Sequence, residues 1–112
     1  MMTINGVEFE FDLLNARTAQ AWEEAFAELE AVGRQPAAKS LAAEIRRQTG
    51  AARKLLDTVL GEGSCERAGL DPDDLSANLD AVEALIAEGK RQKEDAGKRW
   101  GRYAPDRIAR LA

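Results

Sequence analysis

The sequence predicts a mainly α-helical fold, with an N-terminal β-hairpin followed by a bundle of about three helices and a C-terminal tail. The hairpin is predicted by Asn5-Gly6, because both central residues of a type I′ turn need a positive φ angle. Val7, Phe9 and Phe11 then alternate with glutamates, as in a half-buried strand. The residues that follow show helical spacing. A lone two-stranded ribbon is marginally stable, so we expect it to lie on the helices or to pair with another chain.

The first helix is predicted to begin after Asn15, which is a good cap, and to run to about Ala31, with Gly33 ending it. Apolar residues at spacings of three and four form one stripe, while glutamates occupy the other faces. The stripe consists of Ala19, Trp22, Phe26 and Leu29. Helical periodicity indicates that its two aromatic residues belong to the core rather than to a ligand platform.

The second helix has two candidate starts, Pro36 in a first turn or Ser40 as a cap. Its apolar residues are Leu41, Ile45, Ala52, Leu55, Leu56, Val59 and Leu60. Gly50 lies within this pattern and marks either a kink or a close crossing of another helix. The exposed side is basic, and we expect it to face the acidic first helix.

The third helix is predicted to begin at residues 71–74, with Asp71 as its cap and Pro72 in its first turn. Its apolar residues are Leu75, Leu79, Val82, Leu85 and Ile86. The acidic residues here lack the glycine and the terminal glutamate of an EF-hand loop, so we interpret them as capping groups rather than as a calcium site. Residues 88–99 are nearly all charged, and they form either a solvated helix extension or a frayed arm.

The chain length suits one domain, which we expect at residues 1–97, followed by a basic and aromatic segment at 98–112. We expect one core shared by the three helices. Its predicted members are Trp22, Phe26, Leu41, Ile45, Leu55, Leu79 and Val82.

The composition argues against catalysis. The chain has no histidine, which removes the commonest general base and the commonest zinc ligand. The acidic residues form no recognisable pair in an apolar setting. We therefore expect no enzymatic activity, no cofactor and no metal site. The single Cys65, the missing signal peptide and the lack of a bilayer-spanning apolar run favour the cytoplasm and exclude a membrane partner.

Charge alternates in sign along the chain. Residues 1–33, 34–60, 61–85 and 86–112 carry net charges of −6, +4, −6 and +4. Helices of opposite sign can lie beside one another within the chain, or a basic block can face an acidic partner; the first reading is favoured because surface charges usually need no special task. The net charge of −4 argues against nucleic-acid binding, which depends on phosphate neutralisation.

The C-terminal segment is the candidate partner-binding site, since aromatic residues and arginines often anchor interfaces. Its candidate residues are Trp100, Arg102, Tyr103, Arg107, Ile108, Arg110 and Leu111. Three docking targets remain open: a client protein, a second copy in a homo-oligomer, or the chain's own acidic first helix.

Three stretches of the chain, in this order, match the pattern of a known family. They are residues 4–12 leading into Thr18-Ala19, residues 56–64, and residues 103–110. Together they resemble a family of small prophage proteins of Gram-positive hosts, the tail-assembly chaperones of long-tailed phages. Residues 71–74 depart from the family's pattern, which leaves a family role for the third helix undefined.

The resemblance implies a helical, non-enzymatic adaptor of the host cytoplasm. Such a chaperone holds the tape-measure protein in solution until tail-tube subunits polymerise around it. The alternatives are a structural tail component retained in the virion and a small helical regulator.

Overall fold

The computed structural model describes residues 1–103 as a two-stranded antiparallel hairpin followed by helices, so the predicted fold class is confirmed. No helix in this part of the chain is both long enough and apolar enough to cross a membrane. The elements are β1 Met2–Ile4, β2 Val7–Phe9, α1 Ala16–Gly33, α2 Leu41–Leu60, α3 Ser64–Arg67 and α4 Leu75–Trp100.

The hairpin turns at the predicted dipeptide, where Asn5 has φ 51° and Gly6 has φ 78°. The strands pair as Met2↔Phe9, Thr3↔Glu8 and Ile4↔Val7. One face of the ribbon is buried, and the Asn5 side-chain amide donates a hydrogen bond to the backbone carbonyl of Ala68 at 3.0 Å. The ribbon therefore lies on the helices of its own chain.

The first two helices form a helical hairpin with the predicted caps. The Asn15 side chain accepts from the backbone N–H groups at the start of α1, and the Ser40 hydroxyl accepts from the N–H of Ala43 at 3.1 Å. The predicted end of α1 is wrong, because the helix includes Gly33 and its C-cap is Arg34, whose N–H donates to the carbonyls of the last turn. The Pro36 alternative is wrong, because Pro36 lies in the connection between α1 and α2, before the Ser40 cap.

The expected approach of acidic α1 to basic α2 includes one ion pair. Lys54 Nζ lies 3.1 Å from Glu28 Oε2, and both side chains are more than half exposed. Exposed pairs of this kind contribute about 0–1 kcal/mol. Gly50 does not mark a close crossing, since a Cβ atom there would meet nothing within 4 Å.

The core is centred on α2, which packs against α1, α3 and α4. Among the predicted core residues, Leu55 and Val82 are buried, Trp22 and Phe26 are partly buried against the core, and Ile45 is half-buried. The largest fully buried side chains are Leu55, Leu56 and Leu85.

Two predicted core residues are wrong: Leu41 is 77% exposed and Leu79 is 43% exposed. Leu41 is the first residue of α2, beside the connection from α1. Leu79 lies outside the core because the buried face of α4 contains Asn78. Asn78 is one residue earlier than Leu79, which is about 100° around the helix. Ile86, seven residues after Leu79, is likewise 43% exposed.

The predicted start of the third helix is also wrong. Asp74 caps α4 by accepting from the N–H of Ala77 at 3.1 Å. The Asp71 side chain instead accepts from the N–H of Asp73 at 2.9 Å, which forms a turn before the helix. The fully buried Asn78 amide donates to the backbone carbonyls of Asp71 and Asp74 and fixes this turn against the helix.

The charged stretch 88–99 continues α4 and keeps a buried face, so it is not a frayed arm. A Cβ atom on Gly89 would lie 2.8 Å from Trp22 Cη2 and 3.1 Å from Leu13 Cδ2. Gln92 accepts from the N–H of Leu13 at 2.7 Å and donates to the carbonyl of Phe11 at 2.8 Å. We call these two hydrogen bonds the amide bridge; they hold the segment after the hairpin on α4.

Candidate partner-binding surface

The end of α4 carries an exposed aromatic pair. Trp100 is 53% exposed and Tyr103 is 79% exposed, and their ring centroids lie 6.3 Å apart. Gly101 donates its N–H to the carbonyl of Gly97 at 2.8 Å, and Tyr103 donates to the carbonyl of Trp100 at 2.9 Å. These turns bring the two rings together where the helix ends.

Basic residues flank this aromatic pair in the sequence. Lys98, Arg99 and Arg102 are exposed, and Arg99 Nε lies 3.6 Å from Asp95 Oδ2 in an exposed pair. Of the predicted site residues, the structure brings the rings of Trp100 and Tyr103 together. Arg102 lies between them in the chain and is exposed. The other four, Arg107, Ile108, Arg110 and Leu111, lie outside the described residues. The domain boundary expected after residue 97 falls within the last turn of α4.

A groove of about 470 Å³ lies between α1, α2 and the start of α4. Its apolar lining comes from Leu29, Val32, Ala51, Ala52 and Leu79. Sequence reasoning missed this groove, because helical periodicity identifies the faces of helices but not the gaps left between them. Leu79 was predicted to be buried in the core, whereas it is 43% exposed and lines one side of the groove.

The polar end of the groove is held by Glu44, which accepts from the N–H of Ala38 at 2.7 Å, from Gln48 at 2.9 Å and from Arg47 at 2.6 Å. The bond from Ala38, followed by those from Gln48 and Arg47, lowers the pKa of Glu44 to about 2. Arg47 also donates to the carbonyl of Pro36 at 2.9 Å. These contacts fix the α1–α2 connection and neutralise the charge of Arg47 beside the groove.

The described residues offer little reactive chemistry. Cys65 is 1% exposed, and burial together with its contact to Asp57 raises the pKa of its thiol to about 12. Because the thiolate is the nucleophilic form, this cysteine is chemically inert at neutral pH. Residues 1–103 contain no group of three or more His, Cys, Asp or Glu side chains placed to hold a metal ion.

Asp57 has a structural task. Burial acts to raise the pKa of its carboxyl, but hydrogen bonds from the N–H of Cys65 and the hydroxyl of Ser64 outweigh burial and lower it. The corresponding distances to Oδ1 are 3.0 and 2.8 Å. The carboxylate thus joins the end of α2 to the short helix α3.

Comparison with known proteins gives a family and no characterised relative. A family model described as "Family of unknown function (DUF6673)" matches residues 5–112. The comparison with curated proteins finds no match, and the comparison with solved structures finds none. Since the family model covers nearly the whole chain, the chain belongs to the DUF6673 family.

Proposed function

We propose that this member of the DUF6673 family is a non-enzymatic phage tail-assembly chaperone, or tail-morphogenesis adaptor, that binds the tape-measure protein in the host cytoplasm. Two independent features support the proposal. The first is the resemblance of residues 4–12, 56–64 and 103–110 to such chaperones. The second, which carries the binding site, is the exposed pair of Trp100 and Tyr103 at the end of α4.

The aromatic pair has the chemistry of an interface anchor. Two large rings exposed to water lose little conformational entropy on binding, and each buries a large apolar area when a partner covers it. The neighbouring lysine and arginines would add attraction to acidic segments of a client. Binding through this end of the helix is therefore expected to weaken as salt is raised.

The groove between α1 and α2 supports the same class of function. A chaperone for a long helical client needs apolar surface with a polar rim, and the groove places Leu29, Val32 and Leu79 beside the Glu44–Arg47 pair. Apolar side chains of a client helix can enter such a groove at helical spacing. It offers a second contact, separate from the aromatic pair.

The test is co-expression of the full chain with the tape-measure protein of the same prophage, with the soluble fraction of the tape-measure protein as the readout. Wild type should raise this fraction, and Trp100→Ala/Tyr103→Ala should lose most of the effect. Leu41→Ala is the matched control, because Leu41 is a large apolar residue, 77% exposed and away from the aromatic pair. An unchanged soluble fraction with wild type would refute the proposal.

A second experiment separates a chaperone from a component of the particle. Mass spectrometry of purified virions should find the protein absent or far below the copy number of the tail-tube subunit. Stoichiometric amounts in the particle would identify a structural tail component instead.

A further inference from the structure

One flank of α4 carries a stripe of residues that the described part of the chain leaves about half exposed. Leu79, Ile86, Lys93 and Trp100 recur at every seventh residue. Seven residues fall about 20° short of two full helical turns, so the four side chains lie along one flank of the helix. Leu79 and Ile86 are each 43% exposed, Lys93 is half-buried and Trp100 is 53% exposed.

The charge of α4 reverses along its length. Residues 75–89 carry three acidic side chains and no basic one, while residues 90–100 carry five basic and two acidic side chains. The two parts therefore have net charges of −3 and +3. A helix with this distribution is electrostatically complementary to a second copy of itself that runs in the opposite direction.

We infer that a second copy of this chain docks on the stripe, with the two α4 helices packed antiparallel about a two-fold axis. This inference goes beyond the proposed function and does not depend on it. In such an isologous interface every contact occurs twice. If one residue of the first copy contacts a second residue of the other copy, the same two residues also meet with the copies exchanged. Leu79 would face Trp100 of the second copy, and Ile86 would face Lys93.

The antiparallel direction follows from charge and side-chain shape. A parallel pair would place the acidic parts together and the basic parts together, whereas the antiparallel pair sets each acidic part beside a basic one. Glu83 lies one turn from both Leu79 and Ile86 on the same flank, within reach of Lys93 of the second copy. The apolar stem of Lys93 can cover Ile86 while its ammonium group meets Glu83.

The length of α4 suits an interface of this kind. Its 26 residues span about 39 Å, so the stripe extends along one side of the molecule. In this register the two Lys90 residues would lie close together on either side of the axis, and their like charges limit the affinity. We therefore expect a concentration-dependent, salt-sensitive dimer rather than a permanent one.

The first test is sedimentation of the full chain at several concentrations, with Ile86→Glu compared with Ala87→Glu. Both substitutions add one carboxylate at neighbouring exposed positions of α4, but Ala87 lies off the stripe. Ile86→Glu should raise the dimer dissociation constant at least about tenfold, because each interface loses two buried isoleucines. Ala87→Glu should change it less than about twofold, and circular dichroism should show that both variants fold.

The second test is a charge exchange. Glu83→Lys alone should weaken the dimer, because it would oppose Lys93 of the other copy. Adding Lys93→Glu should restore the dissociation constant to within about threefold of wild type. A monomer at every concentration, equal effects of the two glutamate substitutions, or no recovery in the double variant would each overturn the inference. No client is present in these tests, so the dimer can fail while the chaperone assay succeeds, and the reverse. Trp100 and Leu79 take part in both proposed contacts, so a client and a second copy would compete for them.

Discussion

The two parts of α4 are held to the rest of the molecule by different kinds of contact. Val82 and Leu85 belong to the same apolar core as Leu55 and Leu56 of α2. Further along the helix, the contacts are of another kind. Trp22 and Leu13 lie close to the backbone of Gly89, and Gln92 forms the two hydrogen bonds of the amide bridge. Apolar burial has no preferred direction and tolerates small shifts in position. The close contact at Gly89 and the two directional hydrogen bonds of Gln92 are lost when the helix shifts.

A charged, glycine-containing stretch of a helix can therefore be held in place by contacts that depend closely on geometry. The exposed faces of residues 88–99 are polar, and their buried face is narrow. The contacts of this buried face determine where the segment after the hairpin lies. Apolar burial alone would define the position of that segment less well.

The largest effect is expected in the apolar part of α4. Leu85 is fully buried, so Leu85→Ala should lower the free energy of unfolding by about 2–5 kcal/mol through lost burial and a residual cavity. Leu79→Ala is the matched control and should cost less than about 1 kcal/mol, since Leu79 is 43% exposed. Urea unfolding followed by circular dichroism measures both. Equal losses would show that the two positions are equally buried in solution.

The amide bridge should give the next largest effect. Gln92→Ala removes the partners of the Leu13 N–H and the Phe11 carbonyl, and leaving both unsatisfied should cost on the order of 2–4 kcal/mol. Gln20→Ala serves as the control, because Gln20 is exposed and its side-chain amide donates to Glu24, four residues away in the same helix. The same urea titration applies. A Gln92 variant as stable as the Gln20 variant would contradict the role given to the bridge.

The glycines of α2 and α4 should respond to alanine in opposite directions. Gly50→Ala should stabilise the protein by about 0.5–1 kcal/mol, because alanine favours the helix and the added methyl group meets open space. Gly89→Ala gains the same helix propensity but forces its methyl group against Trp22. The overpacking costs about 1–3 kcal/mol and should make the change neutral or destabilising. Thermal unfolding of the two variants gives the comparison, and a stabilised Gly89 variant would refute the close approach.

The smallest effect concerns pH. Hydrogen bonds from Arg91, opposed by burial and assisted by Gln92, lower the pKa of Glu88 from 4.5 to about 2. A carboxyl whose pKa falls on folding stabilises the protein above the unfolded value and loses that contribution as pH drops from 4.5 towards 2. Glu88→Gln should therefore narrow the difference in the free energy of unfolding between pH 6 and pH 3. Glu44→Gln should narrow it in the same way, because the pKa of Glu44 is also lowered to about 2. Identical pH dependence in wild type and Glu88→Gln would contradict this assignment.

Features that depend on neighbouring residues could be predicted from the sequence. The turn at Asn5-Gly6 and the caps at Asn15 and Ser40 each depend on a few adjacent groups. The structure confirms the turn and the Asn15 cap, and it selects Ser40 from the two candidate starts of the second helix. The start of α4 was harder to predict, since Asp71 and Asp74 both have capping side chains three residues apart. The buried Asn78, which bonds to the carbonyls of both, distinguishes them only in the folded chain.

Features that depend on distant parts of the chain could not be predicted. Gly89 and Gln92 have the composition of a solvent-facing stretch, and only the positions of Trp22 and Leu13 make them buried. The rotation of α4 that exposes Leu79 follows in the same way from its packing on α2. Within the candidate site, Trp100 and Tyr103 could be selected from residue type, but their exposure and their pairing could not be predicted. The groove depends on the spacing of three helices.

The amide bridge also has a consequence during protein synthesis. Its two hydrogen bonds join residues that are 79 and 81 positions apart in the chain. At about 5–20 residues per second, roughly 4–16 s of translation separate Phe11 and Leu13 from their partner Gln92. During this interval the apolar side chains of the hairpin segment lack part of their final cover. The segment after the hairpin thus acquires its final contacts only after α4 has been made.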